Sequence, residues 1–146
     1  MKIKNKPIID TYDPVIYPVL LVVAKDVTIE RLNKEYMLPD ESDITEEYLG
    51  SNYCCVTFHA SRRADKRKVI IVYKNNGVHR LDDLPLLDAT HEGGHYVIDT
   101  FNEVGAVIDP NNQEPFCYLL QWAADCIYKT LTKKNNGNKR KKQKVI

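Results

Sequence analysis

The sequence predicts an α+β fold in which a small antiparallel sheet packs against a pair of helices. Three observations support this class: an apolar run over 15–24, two strand-like segments over 53–60 and 68–74, and two C-terminal segments whose apolar residues recur with helical spacing. The chain of 146 residues suits one domain with one hydrophobic core. No internal repeat interrupts this order.

The first half of the chain alternates between extended and helical patterns. Residues 1–14 are expected to form an irregular lead-in, and the Val-, Leu- and Ile-rich run 15–24 a buried strand. Amphipathic spacing over 27–37 predicts a short helix. After a break, 44–49 predicts a further helical turn.

A β-hairpin follows. Apolar and polar residues alternate over 53–60, which indicates a half-buried strand, and 68–74 is its natural partner across the basic loop 61–67. His59 is expected to face solvent on the first of these strands. We interpret the basic loop as a solvated tip.

Two helices complete the domain. The first is expected to be capped by Asp82 or Asp83, with Pro85 in its first turn, and to run to about Val104, where Gly105 stops it. Its predicted inward side comprises Leu84, Leu87, His91, Gly94, His95, Ile98 and Phe101. The second helix is predicted over 114–132, with an apolar stripe of Phe116, Leu119, Leu120, Ala123, Ile127 and Leu131.

The chain has 21 basic and 20 acidic residues, unevenly distributed. The last fourteen residues hold seven of the basic ones and no acid, so 1–132 form an acidic domain and 133–146 a basic tail that we expect to be disordered. Such a tail favours weak, salt-sensitive contact with nucleic acid.

No apolar run is long enough to cross a membrane and no signal-peptide pattern begins the chain, so we expect a cytoplasmic protein. Its four cysteines are expected to be reduced thiols.

The segment His91-Glu92-Gly93-Gly94-His95 carries the clearest chemistry. It spells H-E-x-x-H within a predicted helix, where residues four apart share one face and both imidazoles can reach one metal ion. Glu92 at the edge of that face can act as general base on a metal-bound water, so Zn²⁺ is the expected cofactor. Two glycines inside a helix cost roughly 1 kcal/mol each relative to alanine, and close approach of another backbone would explain them.

A catalytic zinc site needs a third protein ligand. Glu114, 19 residues after His95 at the start of the next helix, is our candidate if the two helices form a hairpin. Alternatively, it is simply an acid that the helix dipole favours at an N-terminus. Glu103, His59 and His79 are weaker candidates.

Two further residues have open roles. Asp99, one turn after His95, is either a partner that orients an imidazole or an exposed acid. Tyr118, one turn after Glu114, is either a donor to a developing oxyanion or a core tyrosine.

The helix with His91, Glu92 and His95, followed by Glu114 on the next helix, resembles the gluzincin branch of zinc metallopeptidases. This resemblance implies a minimal zincin-like domain, with the two histidines and Glu114 as ligands and Glu92 as base. The chain departs from that pattern at Tyr118, where larger gluzincins often have an aspartate, and it has no room for their second domain.

The chain also resembles small proteins of tailed phages and prophages of gut bacteria, a group without an established activity. The similar segments are 12–18 and 114–122, together with the H-E-x-x-H helix. This resemblance implies a phage origin, and then the host cytoplasm as the compartment. The ImmA-type phage peptidases, which cleave repressor proteins, are a looser match.

Three functions follow as hypotheses. The first is a zinc-dependent peptidase that acts on a peptide or protein substrate. The second is a catalytically inactive, metal-stabilised phage structural or host-interaction protein. The third is a nucleic-acid-binding accessory protein that uses the basic tail. The acidic charge of residues 1–132 disfavours this function. The sequence gives neither the substrate nor the oligomeric state.

Overall fold

The computed structural model describes residues 6–49, 55–75 and 84–133. Several predictions therefore fall outside the described residues: the start of the hairpin strand at 53–54, His79, Asp82, Asp83, and the tail after Lys133. Lys133 itself is described, and its Nζ lies 2.7 Å from Oδ2 of Asp10.

The described residues form five strands and four helices, and the α+β class is confirmed. In chain order these are β1 (Ile8–Tyr12), β2 (Leu20–Lys25), α1 (Ile29–Glu35), β3 (Tyr36–Met37), α2 (Glu46–Leu49), β4 (Cys55–Arg62), β5 (Lys68–Lys74), α3 (Pro85–Val104) and α4 (Glu114–Leu131). The strands form one sheet of order β1-β2-β5-β4-β3. The predicted β4–β5 hairpin is antiparallel as expected. β2 and β5 run parallel, which is possible because the long connection with α1, β3, α2 and β4 lies between them.

The sheet has a hydrophobic core on each face. Leu21 and Val23 of β2 pack with α3 and α4, and Leu20 and Val22 pack on the opposite face with α1 and α2. A central strand that is buried on both faces needs consecutive apolar residues, which explains the apolar run at this position.

The N-terminal prediction was wrong in two respects. Residues 8–12 are not irregular but form β1, a half-buried edge strand that pairs antiparallel with β2. The strand predicted from residue 15 starts only at Leu20, because Pro14 and Pro18 lack an N–H for a sheet ladder and Val15 adopts a φ of 66°.

The first helix is shorter than predicted. α1 starts after Thr28, whose side chain accepts from the backbone N–H of Arg31, and it ends at Glu35. The two residues predicted to continue it, Tyr36 and Met37, form β3 instead. They pair with 61–62, so β4 extends into the predicted loop.

The buried face of α3 differs from the predicted one. Of the predicted inward residues only Phe101 is buried; Leu84, Leu87 and Ile98 are between 46% and 58% exposed. The buried residues are Asp88, Ala89, Glu92, Gly93, Tyr96, Val97, Thr100 and Phe101. The helix is rotated from the expected orientation because α4 and the sheet pack on this second set.

The ends of α3 are partly as predicted. Pro85 is the first residue of the helix, and Gly105 ends it with a left-handed φ of 68°. The N-cap is Leu84, whose side chain makes no capping hydrogen bond.

The helices α3 and α4 form the predicted antiparallel hairpin. A Cβ placed on Gly93 would lie 3.3 Å from the backbone N of Ala124, so the two backbones approach closely at this point. Ring contacts fix the register along the rest of the pair: Tyr96 with Trp122 and Phe101 with Phe116, each with centroids 6.0 Å apart. Most of the predicted α4 stripe is buried, namely Leu119, Ala123, Ile127 and Leu131.

Two neighbouring glycines of α3 allow a matched test of this packing. We expect Gly94→Ala to raise the free energy of unfolding by about 0.5–1 kcal/mol, because alanine favours the helix and an added Cβ at Gly94 meets nothing within 4 Å. Gly93→Ala should stabilise less or destabilise, because its Cβ would press on Ala124. Denaturant unfolding of metal-free protein measures both. An equal gain from the two variants would contradict the close approach at Gly93.

Two further sequence predictions concern the described residues. Cys117 and Cys126 are free thiols, and the reduced state of Cys54 and Cys55 stays a prediction. Among the described helices, none combines the length and apolarity needed to cross a membrane.

Candidate metal centre

His91 and His95 lie one turn apart on the solvent side of α3, and both are exposed. Their Nε2 atoms are 3.2 Å apart, and the ring planes are inclined at 76°. Two zinc–nitrogen bonds of about 2.05 Å that meet at a tetrahedral angle separate their nitrogens by about 3.3 Å. The pair therefore has the spacing of two ligands of one tetrahedral ion, although a hydrogen bond between the ring nitrogens fits the same distance.

Glu92, the predicted base, points away from solvent. It is 5% exposed and lies on the flank of α3 that faces β4, where the Thr57 hydroxyl donates a hydrogen bond to its Oε2. Consecutive residues of a helix differ by about 100° in direction, so burial of Glu92 is compatible with exposure of His91 beside it. The carboxylate is thus held against the sheet, at the edge of the face that carries the histidines.

Glu92 belongs to a row of contacts that we call the polar seam, where one flank of α3 meets the β4–β5 hairpin. Its pairs are Lys74 with Asp88 at 2.7 Å, Thr57 with Glu92, His59 with Asp99 at 3.4 Å, and Lys68 with Glu103. The four acids follow each other at intervals of four, seven and four residues, which places them on one side of the helix. The polar seam therefore fixes α3 on the sheet.

Asp99 contacts an imidazole, but not one of the predicted ligands. Its Oδ2 faces Nε2 of His59, which was expected to face solvent on β4 and is half-exposed there. The sequence contained a signal for this pair: Thr57 and His59 are two apart on a strand, so both point towards α3. Without the strand's position, that signal did not identify a partner.

Glu114, the predicted third ligand, lies far along the helix pair from the histidines. Gly93 lies opposite Ala124 and Phe101 opposite Phe116, so the antiparallel register places Glu114 level with Glu103 and not with His95. Eight residues of helix correspond to about 12 Å along the axis, whereas ligand atoms of one ion lie about 3–4 Å apart. The helical hairpin thus exists, but its register separates Glu114 from the pair.

Instead, Glu114 and Tyr118 line a groove of about 550 Å³ at the start of α4. Other walls of the groove come from Tyr17, Asn112 and Trp122. Tyr118 is 66% exposed, so the prediction of a core tyrosine is not met. By the same register, its position is level with Asp99, about 6 Å along the axis from His95.

The open edge of β4 runs beside the polar seam. On the side away from β5, β4 pairs with β3 only at Ser61 and Arg62. None of the described strands pairs with 56–60 on that side. A strand edge with free backbone groups accepts an extended peptide.

Burial sets the protonation of two groups beneath α3. The pKa of Tyr96 is raised well above its usual range by burial, and its hydroxyl donates to the carbonyl of Val19 at 2.8 Å. Burial also raises the pKa of Cys126 to about 11. Both groups are therefore neutral near pH 7, and Cys126 is a weak nucleophile and metal ligand.

No group of three or more histidine, cysteine, aspartate or glutamate side chains that could hold a metal ion occurs within 6–49, 55–75 and 84–133. Of the predicted ligand set, the structure brings together His91 and His95, and the third ligand stays a prediction.

Comparisons with protein-family models, curated proteins and solved structures give no match to the chain. The likeness to gluzincins and to small phage proteins therefore stays a prediction that depends on the H-E-x-x-H helix and the segments quoted with it.

Proposed function

We propose that the chain is a zinc-dependent peptidase that hydrolyses peptide bonds with a metal-activated water. The observation that carries this proposal is the His91–His95 pair, whose nitrogens have the separation that a tetrahedral ion requires. The acid next to the first histidine, Glu92, has the position of a general base in such sites.

The chain's own residues would act as follows. When bound, zinc lowers the pKa of a water and polarises the scissile carbonyl. Glu92 takes the proton of that water and passes it to the leaving amine. Because Thr57 donates to Oε2 of Glu92, Oε1 is the oxygen that receives the proton. Tyr118 is the proposed donor to the developing oxyanion.

We propose that the substrate is an extended peptide or protein segment. The edge of β4 at 56–60 is the support for this, because a peptide added there would pass along the flank of α3 that carries Glu92. Main-chain hydrogen bonds to such an edge bind a peptide with little regard to its sequence.

One observation favours a second function, that of a catalytically inactive, metal-stabilised phage structural or host-interaction protein. Glu92 is buried and accepts a hydrogen bond from Thr57, as a structural carboxylate would. In this function His91 and His95 bind zinc for stability, and other protein ligands close the site.

Zinc analysis of the purified protein tests both functions. We expect the wild type to contain zinc and His95→Ala to lose it, because one imidazole does not hold the ion by itself. The matched control is His59→Gln, which alters a histidine of the polar seam and should keep the zinc. Glu114→Gln should keep the zinc in the same assay, because the register of the helical hairpin separates Glu114 from the histidines; loss of zinc in this variant would restore Glu114 as the third ligand.

Activity then separates the two functions. One zinc per chain together with cleavage of a peptide library supports the peptidase, and zinc without cleavage supports the second function. Full zinc content in His95→Ala contradicts both.

A further inference from the structure

The solvent side of α3 carries a regular apolar row that the described part of the chain leaves exposed. We call it the exposed stripe: Leu84, Leu87, His91, Gly94 and Ile98, with His95 beside Gly94. Its spacing of three, four, three and four residues is that of a helix that packs along another helix. The three aliphatic members are between 46% and 58% exposed, so none of the residues in 6–49, 55–75 and 84–133 covers this row.

Within the described residues, no contact explains the glycine at position 94. Its neighbour Gly93 is required by the backbone of Ala124, but a Cβ on Gly94 would meet nothing within 4 Å. A glycine within a helix costs roughly 1 kcal/mol relative to alanine. On an exposed helix face, a missing side chain lets a second helix approach closely, and Gly94 lies between the two histidines.

The histidines supply half of a tetrahedral ligand set. Two imidazole nitrogens 3.2 Å apart leave two coordination positions on the outer side of a bound ion. The exposed stripe contains no Asp, Glu, Lys or Arg, so two copies of it meet without repulsion between like charges. About a two-fold axis through this point, Leu87 of one copy lies opposite Ile98 of the other.

We propose that two copies of the chain bind one zinc ion between them through the exposed stripe, with His91 and His95 of each copy as its four ligands. This inference depends on zinc binding by the histidine pair and extends the second of the two functions above. Four protein ligands leave no open position for a reacting water, so an ion shared in this way would exclude the peptidase function.

The proposed dimer depends on its metal. One face of a single helix buries much less than the roughly 1,200–2,000 Å² of a stable protein interface. Zinc coordination therefore provides the main stabilisation, and the flanking leucines and isoleucines set the orientation.

The test is the molar mass of the full chain by light scattering after gel filtration, with added zinc or with EDTA. We expect zinc to double the mass from 16.8 kDa at one ion per two chains, and EDTA to reverse the change. His91→Ala and His95→Ala should stay monomeric with zinc, whereas His59→Gln should dimerise like the wild type.

Two adjacent leucines test the orientation. Leu87→Glu places a charge in the exposed stripe and should weaken zinc-dependent dimerisation at least about tenfold, which corresponds to 1.4 kcal/mol. Leu86→Glu is the matched control, because Leu86 is equally exposed at 63% but lies outside the exposed stripe. Equal effects of the two variants contradict the proposed interface.

The other outcomes are also distinct. A monomer that binds one zinc per chain overturns the dimer and leaves zinc binding by the histidines intact. A dimer that persists in EDTA, or in His95→Ala with zinc, overturns the shared ion. A chain that neither binds zinc nor dimerises overturns the dimer and both functions proposed above.

Discussion

Glu92→Gln is expected to keep the zinc of the wild type and to hydrolyse peptides about 10²–10⁴-fold more slowly, the usual contribution of a general base. Glutamine has the shape of glutamate, and its amide oxygen can still accept the hydrogen bond from Thr57. It cannot take a proton from water near neutral pH. Loss of turnover without loss of metal would therefore isolate proton transfer from binding.

The measurement pairs zinc content with cleavage of a peptide library by purified protein. Thr57→Val is the matched control, because it removes the contact to Glu92 but leaves the carboxylate able to act as a base. We expect it to lower turnover less than Glu92→Gln, because the carboxylate keeps an oxygen that can take the proton. Turnover of Glu92→Gln equal to that of the wild type would exclude Glu92 as the base.

Asp88→Asn is expected to lower the free energy of unfolding by about 3–5 kcal/mol, which is the usual effect of removing the charge of one partner in a buried ion pair. Asp88 and Lys74 are 7–10% exposed in their side chains, and their charged atoms are 2.7 Å apart. The variant removes the carboxylate that faces the ammonium group of Lys74 under the first turn of α3. Denaturant unfolding followed by circular dichroism measures the change.

An exposed pair provides the comparison. Asp125 and Lys129 are also 2.7 Å apart, but both side chains are more than half exposed, so Asp125→Asn should have a much smaller effect. The double variant Lys74→Met/Asp88→Leu should recover most of the loss, because it removes both buried charges. Similar losses in Asp88→Asn and Asp125→Asn would contradict the structural role of the buried pair.

The sequence predicted those elements whose ends carry local signals. Gly105 ends α3 in a left-handed conformation that favours glycine, and the alternation in β4 identified the hairpin. β1 has no such signal, since it is a half-buried edge strand with a mixed pattern. Its structure depends on pairing with β2, which is a tertiary contact.

The orientation of α3 could not be predicted because the helix has two apolar faces. One contains Leu87 and Ile98, and the other contains Ala89, Tyr96 and Val97. Periodicity alone does not choose between such faces. The choice depends on where α4 and the sheet lie, and Gly93 is the residue that permits the close contact.

The candidate site was also only partly predictable from the sequence. The distance between His91 and His95 follows from helix geometry alone, so the sequence was enough to predict it. The position of Glu114 depends on the nine-residue connection 105–113, which sets the register of the helical hairpin. The partners of Glu92 and Asp99 come from β4, and no local pattern links them to α3.

The polar seam also restricts how this sequence can change during evolution. Each of its residues faces a specific neighbour on another element, so a substitution on α3 leaves a mismatched group on the hairpin until that group changes as well. Related sequences should therefore vary at these positions in pairs, such as Thr57 with Glu92 or His59 with Asp99. No described residue packs on the exposed stripe in this way, so its residues should vary with the surface that α3 binds and not with positions of the hairpin.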